Sequence, residues 1–454
     1  MKTAKYFMAL LFLLGHGAAA QTLTVTNIAA GYYHNLFIKS DGSLWGFGMD
    51  DVGELGDGRT SNTNRPEQIL TNGVVGISSG GYSTYVIKSD GSLWSAGLNN
   101  YGELGDGTQS ISYSPEMIIT NGVKGVSGGD AHALVLKSDG SLWGMGHNAW
   151  GELGDGTSNN TNRPEMIVVS NVIALATGLG SDHSLFIKSD GSLWGMGLNT
   201  SGQLGDGTSN GLTNQPEQIV ASNVVAAAAG NSHSLFMKTD GSLWAMGANS
   251  YGQLGDGTNN KTNRPEQIVA SNVVAVAAGI QHSLFIKTDG SLWAMGYNNN
   301  GQLGDGTMNN TNRPKMIVAS NVVAIAGGYY HSLFLKQDGS LWTVGYNGWG
   351  QLGDGFSDNA SPYGSLVPEQ IVPTPRPVLT NSIVATTSMQ FTAACRLGGA
   401  YRLLTSTNLA APLDQWVGVA TNSIIRRTNN LFSVTLTNEV RAGISQRFYR
   451  LQGQ

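Results

Sequence analysis

The sequence predicts an all-β protein: a seven-bladed β-propeller followed by a small C-terminal β-sandwich-like domain. The motif Asp-Gly-Ser-Leu-Trp occurs seven times at steps of about 50 residues, starting at Asp41, Asp90, Asp139, Asp190, Asp240, Asp289 and Asp338. A second motif, Gly-(Glu/Gln)-Leu-Gly-Asp-Gly, recurs at the same step. Each unit carries four short apolar runs between turn signals, which is typical of one propeller blade.

The sixth repeat illustrates the predicted order of strands. Residues 273–278 are rich in valine and alanine, which indicates an inner strand buried on both faces near the axis. Residues 283–287 and 291–295 form the next two strands around an Asp-Gly turn, and residues 315–319 form the outer strand. Because strand direction alternates, the turn before each histidine and the long Leu-Gly-Asp-Gly loop emerge on the same face, here called the loop face.

The loop face varies between repeats, whereas the Asp-Gly-Ser turns on the opposite face hardly change. Recognition is therefore expected on the loop face. The sequence allows two ways of closing the ring. The first inner strand, residues 25–30, and the last outer strand, residues 369–372, either complete one shared blade or belong to separate blades.

The two ends of the chain differ from the repeats. Residues 1–20 have the basic start, apolar run and small residues of a signal peptide, which predicts a mature protein from Gln21 that is secreted, extracellular or periplasmic. The propeller is assigned to residues 21–372, a proline-rich linker to residues 373–377 and the β-sandwich-like module to residues 378–454. No later apolar run is long enough to predict a membrane span.

Charge and cysteine content exclude several classes of protein. Of the 25 basic residues, eight arginines lie in residues 376–454, together with only two of the 30 acidic residues. The repeats are consequently acidic, and binding to nucleic acid is not expected. Cys395 is the single cysteine, so no internal disulfide and no cysteine-rich metal site can form.

The full repeat, Ala-Gly-x-x-His-Ser-Leu-Phe-x-Lys-x-Asp-Gly-Ser-Leu-Trp followed by Asn-x-x-Gly-Gln-Leu-Gly-Asp-Gly, resembles the regulator of chromosome condensation repeat over residues 25–372. The resemblance implies a seven-bladed propeller that works through protein contacts. It also raises guanine nucleotide exchange, the activity of the family's nuclear member, and the pair Asp182 and His183 resembles a position used there. The near-equal repeats offer no inserted wedge, and the signal peptide argues against access to such GTPases.

Six histidines recur at one position of the repeat, with Thr84 taken as the counterpart in the second copy: His34, His132, His183, His233, His282 and His331. Histidines that bind one metal ion must lie closer together than the spacing between blades allows. We therefore expect each imidazole to tie its turn to backbone groups through hydrogen bonds. The aspartates of Leu-Gly-Asp-Gly are not followed by the alternating oxygen ligands and final glutamate of a calcium-binding loop. They indicate turns instead. The seven repeat tryptophans are expected in the core.

No metal site, cofactor or catalytic residue is predicted, since no nucleophile motif is present, and the protein is expected not to be an enzyme. The predicted site is instead an aromatic patch on blades seven, one, two and three of the loop face: Tyr32, Tyr33, Tyr82, Tyr101, His147, Trp150, Tyr329, Tyr330, Tyr346 and Trp349. Tyrosine and tryptophan supply contact area at low entropy cost. We expect a secreted, non-catalytic binding or scaffold protein for an extracellular protein. The alternative is attachment to polysaccharide or the cell envelope, with the arginine-rich C-terminal module meeting an anionic surface.

Overall fold

The computed structural model describes residues 23–357 and 364–371, together with the backbone of seven strands between residues 381 and 453. The first 371 residues and residues 372–454 form two separate units. In the first unit, 28 strands form seven antiparallel four-stranded sheets in which every strand pairs with its neighbours along the chain. This is the predicted seven-bladed propeller with four strands in each blade.

The strands of the first four blades are β1 Val25–Ala30, β2 His34–Lys39, β3 Leu44–Gly48 and β4 Thr63–Leu70; β5 Val74–Ser79, β6 Ser83–Lys88, β7 Leu93–Gly97 and β8 Ser112–Ile119; β9 Val123–Gly128, β10 His132–Lys137, β11 Leu142–Gly146 and β12 Thr161–Val168; β13 Val172–Thr177, β14 His183–Lys188, β15 Leu193–Leu198 and β16 Leu212–Val220. Those of the last three blades are β17 Val224–Ala229, β18 His233–Lys238, β19 Leu243–Gly247 and β20 Thr262–Val269; β21 Val273–Ala278, β22 His282–Lys287, β23 Leu292–Gly296 and β24 Thr311–Val318; β25 Val322–Gly327, β26 His331–Lys336, β27 Leu341–Tyr346 and β28 Gly364–Ile371.

The second strand of each blade, and not the first, is the most buried. In β22 every residue before Lys287 is buried, whereas in β21 Val273 is buried and Val274 is 49% exposed. The prediction that the inner strand is buried on both faces was therefore wrong. The hydrophobic core lies between neighbouring blades, as where Leu185 of the fourth blade and Phe236 of the fifth share one cluster.

The Asp-Gly-Ser-Leu-Trp motif builds a hydrogen-bonded corner between the second and third strands. In the first blade, the backbone nitrogen and Oγ of Ser43 donate to Asp41 Oδ1 at 2.9 and 2.6 Å, and Trp45 Nε1 donates to Ser43 Oγ at 2.9 Å. Lys39 Nζ lies 3.5 Å from the centroid of the Trp45 ring. Trp45 is only partly buried, stacked on Phe37 from inside and covered by the lysine from outside, so the expectation of core tryptophans needs correction.

The ring closes between complete blades. β1 pairs with β2 and β28 pairs with β27, so the first and last strands belong to separate blades. Contact between the first and seventh blades uses loop backbone and side chains instead, and the backbone nitrogen of Gly355 donates to the carbonyl oxygen of Asn64 at 2.7 Å. His331 Nε2 lies 2.8 Å from Asn35 Oδ1, and Asn35 Nδ2 donates to the carbonyl oxygen of Gln351 at 2.7 Å.

In the second unit, the described strands are β29 Asn381–Ala385, β30 Ser388–Ala394, β31 Tyr401–Ser406, β32 Val417–Gly418, β33 Ile424–Thr428, β34 Leu431–Thr437 and β35 Phe448–Gly453. They form a four-stranded sheet in the order β29-β30-β34-β33 and a three-stranded sheet in the order β32-β31-β35. The predicted signal peptide, proline-rich linker and C-terminal arginine side chains lie outside the described residues. Within the described part of the chain, no helix is long and apolar enough to cross a membrane.

Candidate functional site

The repeat histidines link each blade to the next. His282 Nε2 lies 2.9 Å from Ser332 Oγ in the following blade, and Ser332 Oγ donates to the carbonyl oxygen of Gln302 at 2.7 Å. Because the single hydroxyl proton is used in that bond, His282 Nε2 must carry a proton and donate to the serine. Burial lowers the pKa of His282 to about 3, which keeps the imidazole neutral. The histidine therefore ties two blades together through a hydroxyl, where the sequence had suggested a tie to backbone groups.

At the junction of the second and third blades, three residues differ from the repeat and together replace the histidine link. The strand register places Ser83 at the histidine position, whereas Thr84 is the counterpart of the hydroxyl residue, which corrects the alignment expected from the sequence. Tyr85 replaces a leucine and fills the space of the missing imidazole, and its hydroxyl donates to the carbonyl oxygen of Glu103 at 2.9 Å. The third blade has Ala133 where the other blades have a serine, threonine or asparagine, because no imidazole needs an acceptor there.

The long loops are held by an asparagine and the aspartate of Leu-Gly-Asp-Gly. In the second blade, Asn99 Nδ2 donates to Asp106 Oδ1 at 3.1 Å, and the same oxygen accepts the backbone nitrogen of Thr108 at 2.7 Å. These bonds agree with the predicted turn role of the aspartate. The first blade departs from the pattern, because Asp50 replaces the asparagine and faces Asp57. Burial raises the pKa of Asp50 to about 8, with the Asp57 and Glu54 carboxylates as further causes.

An apolar plug closes the axis at the loop face. Tyr32, Leu179 and Ile280 form one buried cluster, against which Tyr33, Tyr82 and Tyr329 pack. The cluster draws residues from five of the seven blades, which can meet only near the propeller axis. Tyr32 is 8% exposed. It therefore supports the surface rather than forming it.

An array of aromatic rings continues outward from the plug. Tyr33 stacks on Tyr329 with ring centroids 5.4 Å apart, and lies 6.2 Å from Tyr346 and 6.4 Å from Trp349. Tyr330 lies edge-on to Tyr329 at 4.2 Å. Most of these tyrosines are half-buried, and Trp349 is 37% exposed. The array presents a wide aromatic surface whose rings hold one another in place.

The predicted residues fall into two groups on this face. Seven of them share the array and plug: Tyr32, Tyr33, Tyr82, Tyr329, Tyr330, Tyr346 and Trp349. Tyr101 and His147 form a pair with ring centroids 4.8 Å apart, and Trp150 is 43% exposed without a described ring neighbour. The sequence interpretation missed Tyr297, which lies 5.6 Å from Tyr330 and 4.9 Å from Tyr251. Its position in the variable loop was the available signal.

Acidic groups surround His147 in the third and fourth blades. His147 Nδ1 is hydrogen-bonded to Glu152 Oε1, and Glu152 Oε2 accepts the backbone nitrogen of Trp150 at 2.9 Å. One ligand atom each of His147, Glu152 and Asp182 lies within 4.8 Å of the others. Burial, together with the charges of Glu152 and Asp130, raises the pKa of Asp182 to about 6. The hydrogen bond with Glu152 raises the pKa of His147.

A polar cleft of about 510 Å³ borders Trp349 at the junction of the first and seventh blades. Asn62, Asn64 and the ion pair of Arg59 with Glu67, 3.0 Å apart, also line it. The described lining thus combines one aromatic side chain with several hydrogen-bonding groups. The loop that follows Ser357, including the insertion noted around Tyr363, lies outside the described residues.

Family models match the repeats along the propeller. Two models described as the regulator of chromosome condensation (RCC1) repeat match residues 25–54, 74–103 and 123–151, and residues 41–87 and 90–136. A model described as an RCC1-like domain matches residues 178–402. The chain belongs to the regulator of chromosome condensation repeat family.

Two solved structures share the fold. Human WBSCR16 superposes with a TM-score of 0.63 at 24% identity, covering 70% of this chain and 88% of its own. Prp20p from Saccharomyces cerevisiae, described with its binding to Gsp1p and histones, superposes with a TM-score of 0.65 at 20% identity, covering 78% of this chain and 88% of its own. Similarity at this level of identity shows the fold and says nothing about the partners of this chain.

A curated relative, the X-linked retinitis pigmentosa GTPase regulator homolog of Caenorhabditis elegans, is 43% identical over 51 residues. That segment is 11% of this chain and spans only 4% of the relative's length. About one RCC1 repeat is therefore shared. The function of this chain has to be argued from its own loop face.

Proposed function

We propose that the protein is an exported, non-catalytic binding protein that holds an extracellular protein partner on the loop face of its propeller. The observation that carries the proposal is the continuous array of aromatic rings around Tyr33, Tyr329 and Trp349. Rings already fixed by their neighbours lose little conformational entropy when a partner covers them. Export rests on the signal-like sequence of residues 1–20.

The contrast between the two faces supports this assignment. The Asp-Gly-Ser corners repeat the same hydrogen bonds in every blade, as in Ser43 to Asp41 and Ser291 to Asp289. Loop-face residues at equivalent positions differ in size, charge and aromaticity. A shared structural need accounts for the first pattern. Selection for one particular contact surface accounts for the second.

The test uses the mature chain from Gln21 as immobilised bait for proteins secreted or exposed by the source cells. A double variant, Tyr33→Ala and Trp349→Ala, removes two rings of the array and keeps the buried residues Tyr32, Leu179 and Ile280. The matched control is Tyr113→Ala, an exposed aromatic on an outer strand away from the array. We expect one saturable protein partner whose affinity falls by about a hundredfold in the double variant and stays unchanged in the control. Equal loss in both, or retention in both, contradicts the proposal.

Attachment to a polysaccharide is a second candidate, favoured by the cleft beside Trp349. A tryptophan together with amide and charged groups suits a sugar ring, which stacks through C–H groups and hydrogen-bonds through its hydroxyls. The check is retention of the protein on purified envelope polysaccharide at low and high salt. Trp349→Ala should abolish salt-tolerant retention, whereas Trp150→Ala should leave it intact. Retention that disappears at high salt for the unmodified chain would instead indicate charge attraction alone.

A further inference from the structure

We infer that His147, Glu152 and Asp182 form a binding site for a divalent transition metal of the zinc class, bridging the third and fourth blades. One ligand atom from each residue lies within 4.8 Å of the other two. Ligand atoms of a tetrahedral zinc ion at roughly 2.0–2.2 Å stand about 3.4 Å apart. Closing the set thus requires a shift of less than about 1.5 Å. Asp182, the partly exposed carboxylate from the neighbouring blade, can supply it.

Two of the three ligands are held in place. Glu152 is fully buried, and its second carboxylate oxygen is fixed by the backbone nitrogen of Trp150. The hydrogen bond between His147 and Glu152 joins two of the ligands, so a bound ion takes the place of its proton and moves the two atoms apart. His147 is positioned by the edge of the Tyr101 ring. Such outer contacts orient ligands in metal sites. The third ligand differs, because the described side-chain hydrogen bonds leave the Asp182 carboxylate unused while its carbonyl oxygen accepts Leu198 N at 2.7 Å.

The repeat itself does not require these residues. The position of His147 is occupied elsewhere by Met49, Leu98, Leu198, Ala248, Tyr297 and Tyr346. The position of Asp182 is occupied elsewhere by Tyr33, Tyr82, Ala131, Ser232, Gln281 and Tyr330. Blades with those residues form the same four strands. The coincidence of an imidazole and a carboxylate at the one junction where both can reach a buried glutamate therefore has no explanation in the blade fold.

Charge around the three residues favours a dication. The charges that act on Asp182 are those of Glu152, Asp130 and His147, so three carboxylates share one imidazole. A bound dication would neutralise this excess at a partly buried place. One nitrogen and two oxygen donors suit zinc or a related transition metal better than calcium, which takes six or more oxygens. Three protein ligands leave a position for water or for a donor from a bound molecule.

The inference is independent of the proposed function, because the site can bind an ion whether or not the aromatic array holds a partner. A zinc titration is selective for this site because the histidines at the blade junctions are inaccessible. All six histidines at the blade junctions are buried, which leaves His147 as the accessible imidazole among the described residues. A mature chain from Gln21 without a histidine tag, carrying Cys395→Ser to remove the thiol, therefore reports on this site when titrated with zinc chloride.

Sibling repeats supply the variants. His147→Leu and Asp182→Ser introduce the side chains found at Leu198 and Ser232, so both variants are expected to fold. Calorimetric titration should give about one zinc ion for each chain, with affinity at least about tenfold weaker in each variant. Asp130→Asn, which keeps all three ligands, should change the affinity less than either. Zinc should raise the melting temperature of the parent chain and not of His147→Leu. Absence of saturable binding to the parent, or equal binding by parent and His147→Leu, overturns the inference.

Discussion

The buried histidines predict a loss of stability on mild acidification that can be assigned to single side chains. Burial lowers the pKa to about 3 for His34, His183, His282 and His331 and to about 4 for His233. The unfolded chain takes up the same protons near pH 6.5. Since the folded pKa is depressed, the stabilising contribution is complete above pH 6.5 and disappears as the pH falls toward 3.

The size of the effect follows from the two pKa values. Between pH 7 and pH 5, an imidazole with a pKa of about 3 when folded and 6.5 when unfolded removes about 2 kcal/mol from the free energy of unfolding. Five such groups amount to about 10 kcal/mol, as much as the whole stability of many domains. Two buried acids act in the opposite direction. Burial raises the pKa to about 8 for Asp50 and about 7 for Glu103, so both gain stability as the pH falls.

Because these contributions oppose each other, the decisive comparison is between variants. His282→Gln keeps an N–H donor for Ser332 but cannot titrate. The free energy of unfolding, measured by urea titration with tryptophan fluorescence, should fall between pH 7 and pH 5 by about 2 kcal/mol less in this variant than in the parent. The partly exposed His147, whose pKa is raised by Glu152, should behave oppositely, so His147→Leu should make the acid loss steeper. An unchanged pH dependence in His282→Gln would refute the assignment of a neutral, buried imidazole.

Two further predictions concern the long loop of the first blade and one junction between blades. Asp50→Asn should stabilise the protein at neutral pH by about 1–3 kcal/mol, because the amide restores the bond to Asp57 made in the other six loops and removes a buried carboxylate; a lower melting temperature would contradict this. His282→Ser alone should destabilise the sixth junction by about 2–4 kcal/mol through the cavity that it leaves. Adding Leu284→Tyr and Ser332→Ala, which copies the second junction, should recover most of that loss in thermal unfolding; no recovery would show that the three exchanges are not coupled.

The repeat period made the fold predictable, since seven copies of four strands leave few other arrangements. Burial within a blade was less accessible to sequence reasoning. A run such as Val273–Ala278 has the composition of a buried strand, yet in the ring Val274 is exposed and the residues after it are only partly buried. The tryptophans were misjudged for a related reason, because the Lys39 stem completes the cover of Trp45 from the solvent side.

The sequence indicated on which face and in which loops the candidate residues lie, but not which side chains touch one another. The variable turns identified Tyr33, Tyr329 and Trp349 as neighbours around the ring, and their ring contacts place them in one array. No sequence pattern indicates that Tyr32 turns inward to meet Leu179 from the opposite side of the axis. The approach of Asp182 to Glu152 was equally hidden, because it joins two loops of different blades.

Within each repeat, some positions join neighbouring blades and others only line the loop face. Residues that join blades, such as His282 and Ser332, are constrained by a hydrogen-bond chain that ends on the backbone carbonyl oxygen of Gln302. In the second blade three exchanges replace the chain, whereas at the junction of the seventh and first blades Asn35 takes the place of the serine and the histidine is kept. Loop-face positions before the histidine carry no such constraint, since tyrosine, alanine, serine, glutamine and aspartate all occur there. A closed ring of this kind therefore fixes the backbone of its loop face while leaving the side chains at these positions free to vary. Seven nearly equal repeats can thus present an aromatic sector and an acidic sector on one surface.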